Sequence, residues 1–105
     1  MMSCMQNAQK RLECTVRGRV QGIMYRDFTR RQARRRGIVG TVQNLLDGTV
    51  AVVAEGDEMK LQDFLLALKE GPTLARVDLV ETKWGEATGT LTDFKIVYRN
   101  LWDRI

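Results

Sequence analysis

Between Leu12 and Tyr98 the apolar residues fall first at alternate positions, then at helical spacing, then at alternate positions through two more segments, and the cycle repeats. A chain with that order of periods has few ways to bury its apolar faces. "RLECTVRG" alternates Leu12, Cys14 and Val16 with polar residues and stops at Gly18, which predicts a half-buried strand. Residues 25–36 space Tyr25, Phe28 and Gln32 as a helix does, and Gly37 suits the left-handed position that closes it. "GIVGTVQN" and "GTVAVVAEG" are rich in β-branched residues and flank Leu45, Leu46, Asp47 and Gly48, as the arms of a hairpin flank an Asp-Gly turn. Asp57 is the expected N-cap of a second helix, with Leu61, Phe64, Leu65 and Leu68 on its core face and Gly71 and Pro72 at its end. Two short strands follow, marked by Val77 and Leu79 and by Phe94, Ile96 and Tyr98, with "WGEATGT" between them. The expected class is α+β: a β-α-β-β-α-β order with one extra strand, forming an antiparallel or mixed sheet with both helices on one face.

Composition removes several classes of function. The chain has 105 residues, one domain's worth, and only one proline. No stretch is long or apolar enough to span a membrane, and "MMSCMQNAQK" has no apolar block of the secretory kind, so a cytoplasmic location is expected. The two cysteines cannot build a disulfide framework, and with no histidine the usual zinc ligand sets are missing; no metal and no cofactor are expected. Cys14 reads as a small core residue, and Cys4 falls in a tail. Seventeen basic residues against 13 acidic ones leave a net charge of +4, which favours anionic ligands, phosphorylated metabolites and nucleic acid alike. "RRQARRR" sets Arg30, Arg31, Arg34 and Arg35 close together on the first helix, so a nucleic-acid-binding or other non-catalytic anion-binding module is the rival reading; a solvated helix face is the plainer one.

The strongest site signal is "GRVQGIMYR". A strand that passes through Gly18, Val20, Gln21 and Gly22 into a helix converges unpaired N–H groups and the positive end of the helix dipole on one point. Arg26, in the first helical turn, adds a fork of donors suited to two oxygens of one phosphate or carboxylate. The glycine spacing fits neither the dinucleotide fingerprint nor the nucleotide loop that ends in Gly-Lys-Ser/Thr. By itself such a turn also suits a plain structural role, and Asn44 beside an Asp-Gly pair also suits a turn.

"VRGRVQGIMYR" together with Asn44 in "GTVQNLLDGTV" closely resembles the acylphosphatases, and "GPTLARVDLV" and "FKIVY" extend the similarity over roughly Leu12 to Tyr98. The resemblance implies a ferredoxin-like sandwich of five strands and hydrolysis of the carboxyl-phosphate bond of acyl phosphates to carboxylate and inorganic phosphate. It implies Arg26 as the phosphate-binding residue and Asn44 as the residue that orients the attacking water. The peptide groups of Gly18, Arg19, Val20, Gln21, Gly22, Ile23 and Met24 would enclose the phosphoryl oxygens. The chain differs from the family pattern at Ile23, Met24, Tyr25, Thr41, Arg31 and Arg36, and "RNLWDRI" runs past the usual end; Met24 and Thr41 are expected to reshape the pocket rim. The expected organisation is a tail over residues 1–10, the domain over 11–99 and an extension over 100–105, working as a monomer on a small-molecule acyl phosphate.

An acyl phosphate is a substrate that can be cleaved without histidine. Its leaving carboxylate has a reference pKa of about 4 and needs no proton at neutral pH. The site must supply charge stabilisation at the phosphoryl oxygens and a water held in line, and fixed donors and a neutral amide do both.

Overall fold

The computed structural model describes residues 9–22 and 24–104, with Leu101 and Arg104 described through their backbone alone; Cys4 and Ile23 lie outside the described residues. Strand β1 (Gln9–Arg19) leads to helix α1 (Tyr25–Arg35), then to the hairpin of β2 (Val39–Asn44) and β3 (Val50–Asp57). Helix α2 (Glu58–Glu70), β4 (Arg76–Glu86), β5 (Phe94–Val97) and a 3-10 turn (Leu101–Arg104) complete the chain. The sheet order is β4-β1-β3-β2-β5; every neighbouring pair is antiparallel except β2 with β5, which is parallel. The sheet is therefore mixed, one of the two types expected from the order of elements, and has the five strands that the family resemblance implied.

Alternation decides which face is dry. Leu12, Cys14 and Val16 of β1, Val42 of β2 and Val50, Val52 and Ala54 of β3 are buried on the helix side, where Leu61, Phe64 and Leu68 of α2 close over them. Each of the valine, leucine and phenylalanine side chains contributes about 2 kcal/mol of burial. Asp57 caps α2 by accepting from the Lys60 N–H, and Gly71 ends it at φ 71°. Burial pushes the Cys14 thiol up to about 12, which leaves it an inert part of the core.

The structure refines or corrects several sequence expectations. The inward stripe of α1 is Tyr25, Thr29 and Ala33, with Phe28 only partly buried and Gln32 outside the core; small residues let the helix lie close to the sheet. The Tyr25 hydroxyl, which the family pattern lacks, donates to the Leu68 carbonyl at 2.7 Å and so ties α1 to α2. Strand β4 is long, not short, and takes in Trp84, Gly85 and Glu86 of the segment expected to connect two strands. It is an edge strand, so most of its side chains are exposed, Leu79 among them, and they carry little period-two signal. A bulge between Arg17 and Gly18 sets Leu79 opposite Arg17 and Val77 opposite Gly18, which lets Val77 and Val80 reach the same core. Tyr98 stands beyond β5. Thr41 falls on the open face of the sheet, in alternation with Val42 and Asn44, and takes no part in the pocket rim.

Candidate active site

The irregular connection between β1 and α1 is shorter than the glycine pattern suggests. Gly18 and Arg19 still belong to β1, paired with Val77 and Arg76. Gly18 adopts φ 134°, and a Cβ there would stand 2.1 Å from the Arg76 carbonyl oxygen, so its glycine serves a close approach of strands. The turn proper includes Val20, Gln21, Gly22 and Met24. Val20 is buried and anchors it, Gly22 takes φ 76°, and Met24 occupies the N-cap position at φ 64° with no side-chain cap on the helix. The first helical N–H bond is Phe28 to the Met24 carbonyl, 3.0 Å, so the peptide N–H groups preceding it in α1 have no partner within the helix. Tyr25, Arg26 and Asp27, which carry these N–H groups, line one hollow.

That hollow, of ≈ 280 Å³, is lined by Val20, Gly22, Met24, Tyr25, Arg26, Asp27, Asn44, Ile96 and Tyr98. It brings Arg26 and Asn44 into one lining. Asn44 is the last residue of β2, on the helix face, opposite Val50 of β3. Its Oδ1 is buried and has no hydrogen-bond partner, a state that costs about 1–3 kcal/mol and suits an acceptor intended for a bound molecule. Arg26 is 18% exposed, with its guanidinium carbon 5.1 Å from the centre of the Tyr98 ring. Its Nη1 and Nη2 donate to Asp103 Oδ2 and to the Asp103 carbonyl, both at 3.0 Å.

Two side-chain roles escaped the sequence reading. Gln21 Nε2 donates to the carbonyls of Leu45 and Thr49, at 2.9 and 2.8 Å, and so fastens the turn to the hairpin that carries Asn44. Asp103, in the C-terminal extension, reaches the site as the partner of Arg26; nothing local in the sequence marked its destination. The N–H of Arg99 at 2.9 Å holds the Asp103 carboxyl below the usual range; burial opposes this and the charge of Arg26 reinforces it. Trp102 is 77% exposed and lines an adjoining hollow with Arg26, Asn44 and Arg99. Asp47, as expected, serves the hairpin turn, accepting from the N–H and the hydroxyl of Thr49.

The basic run of α1 is largely spent within the domain. Arg30 and Arg31 pair with Asp27, Arg34 with Asp93, and Arg36 with Asp63 of α2. The bond from Arg30, aided by Arg31, keeps Asp27 ionised beside the hollow despite partial burial. Among the described residues no helix is long and apolar enough to cross a membrane, and no three His, Cys, Asp or Glu side chains gather as a metal site.

Comparison with known proteins identifies a family and a fold. The family model described as Acylphosphatase matches residues 12–96. An acylphosphatase of Dehalococcoides mccartyi is 49% identical over 88 residues, 83% of this chain and 97% of the relative. One of Thermus thermophilus is 52% identical over 79 residues, 75% and 90% of the two chains. The crystal structure of the Bacillus subtilis acylphosphatase superimposes with a TM-score of 0.82 at 35% identity, covering 85% of this chain and 99% of that one.

Proposed function

The chain belongs to the acylphosphatase family, and from that membership and the geometry of the hollow we propose that it holds the phosphoryl group of an acyl phosphate on Arg26 and the turn, against a water set by Asn44. It is a hydrolase that cleaves the carboxyl-phosphate bond to a carboxylate and inorganic phosphate. The observation that carries the assignment of roles is the convergence on one hollow of an uncapped helix N-terminus, the Arg26 guanidinium and the unpartnered Asn44 Oδ1.

In this reading the peptide N–H groups of residues 20–24 and of the first turn of α1 point at the equatorial oxygens, with Arg26 adding charge. Each such donor gains strength as negative charge spreads over those oxygens in the transition state. Asn44 Oδ1 accepts one hydrogen bond from water and fixes its lone pair on the phosphorus, opposite the leaving oxygen. The water oxygen forms the new P–O bond as the bond to the acyl oxygen breaks. The bonding pair leaves with the carboxylate, and the surplus proton passes to a phosphoryl oxygen. No side chain changes protonation, consistent with a chain that has no histidine.

Gly18 and Arg19 lie in β1 and hold the turn from behind. Exposed Met24 contributes to the rim, where the acyl group emerges. The protein acts as a cytoplasmic monomer; a sedimentation coefficient above that of one chain would overturn the second point.

Kinetics separate the two roles. Arg26→Ala should raise KM and lower kcat together, whereas Asn44→Ala should lower kcat by about 10²–10³ with inorganic phosphate still bound. Full activity in both variants would remove the assignment.

A further inference from the structure

The C-terminal turn puts an anion of the chain's own onto the residue that grips the substrate. The Asp103 side chain is only 4% exposed. Its Oδ2 takes Arg26 Nη1 and the Arg99 N–H, Arg99 Nη2 stands 3.7 Å from Oδ1, and the Asp103 carbonyl takes Arg26 Nη2. One tail residue thus engages both terminal nitrogens of Arg26. A phosphoryl group held across that fork needs the same donors, and a dianion brought against a carboxylate in contact with the same guanidinium meets like-charge repulsion.

We propose that Asp103 is a built-in competitor for the phosphoryl site: its carboxylate holds Arg26 in the free enzyme, gives it up to the incoming acyl phosphate and reclaims it as inorganic phosphate departs. The inference rests on Arg26 being the phosphoryl-binding residue. Exchange of one anion for another keeps the guanidinium paired at every stage, so it never faces the hollow as a lone charge. The competitor lowers apparent affinity by the fraction of molecules in which it is seated, for substrate and product alike. Product inhibition is thereby weakened.

Asp103→Asn keeps the shape and one acceptor oxygen while removing the charge. Inorganic phosphate should bind about tenfold tighter to this variant, measured by calorimetry and as an inhibition constant, and KM should fall with it. Unchanged or weaker phosphate binding would overturn the proposal, the weaker case showing that the carboxylate orients Arg26 instead of opposing the ligand. Trp102 provides a second readout. With Trp84→Phe it is the remaining indole of the two in the chain, and its emission should change on phosphate titration with a midpoint equal to the inhibition constant. A spectrum unmoved at saturating phosphate would sink the exchange. Failure of phosphate to bind or inhibit either the wild type or Asp103→Asn would bring down the phosphoryl-site reading itself, and the competitor with it.

Discussion

Glycine-containing loops at the two ends of the sheet both gather peptide N–H groups, and they differ in where the negative charge comes from. In the connection between β4 and β5 the chain supplies its own. Glu55 of β3, 3% exposed, accepts from the N–H and hydroxyl of Thr88, from the Gly89 N–H and from Arg11 Nη1 at 2.7 Å. At the opposite end, Val20, Gly22, Met24 and the first turn of α1 line a hollow, with no side-chain cap on the helix. A permanent carboxylate turns such donors into fold stability. Donors that the fold leaves over are available to a ligand, and can bind its transition state more tightly than its ground state. Arg26 stands between the two cases, because its internal anion belongs to a terminal turn, not to a central strand.

The sharpest way to break the comparison is to delete one charge at each end. Arg26→Ala should reduce kcat/KM by about 10³ or more, with the thermal midpoint moving by no more than about 4 °C, as for a loss near 1 kcal/mol. Glu55→Ala should do the reverse. It should cost about 2–3 kcal/mol in denaturant unfolding, with kcat/KM per folded molecule within about twofold of wild type. A large activity loss there would mean that the two ends are coupled. Gln21→Ala tests the fastening between turn and hairpin: loss of two hydrogen bonds should cost about 1–2 kcal/mol of stability and, by loosening Asn44 against the turn, about tenfold in kcat/KM. An effect on stability alone would show that the turn keeps its shape unaided.

The smallest effect is in pH. Burial pushes the Glu55 carboxyl up, but the bonds from Thr88, Arg11 and Gly89 outweigh it and hold the group below the ordinary carboxylate range. A group depressed on folding contributes stability that is present above its unfolded pKa of about 4.3 and is lost as pH falls through its lower folded value. The stability advantage of wild type over Glu55→Gln should therefore be level near neutrality and shrink on acidification below about pH 4. A gap that widened in acid would contradict the depressed carboxyl.

What could be read from the sequence was whatever is settled locally. Alternation of Leu12, Cys14 and Val16, the leucine face of α2, the Asp57 cap and the Asp-Gly hairpin each depend on neighbours a few residues away, and each was legible. The turn between β1 and α1 was legible for the same reason, since glycines and a helix start are local signals. The reading extended that turn through Gly18 and Arg19 because it could not see β4, whose carbonyl at Arg76 demands the glycine. Strand β4 itself was cut short, because an edge strand has no need to bury alternate residues. Gln21, Glu55 and Asp103 act across 24 to 77 positions of sequence, through pairings that exist only once the sheet has formed. No window of periodicity contains them.

That long edge strand has a consequence of its own. The eleven residues of β4 have a neighbour on one side only, and the other side is an open ladder, the kind of edge along which chains pair into ribbons. Arg76, Asp78, Glu81, Lys83 and Glu86 stud it with exposed charges of both signs, so another polypeptide laid alongside would have to strip water from them without gaining a matched set. Resistance to edge-to-edge pairing is thus written into the border of this sheet.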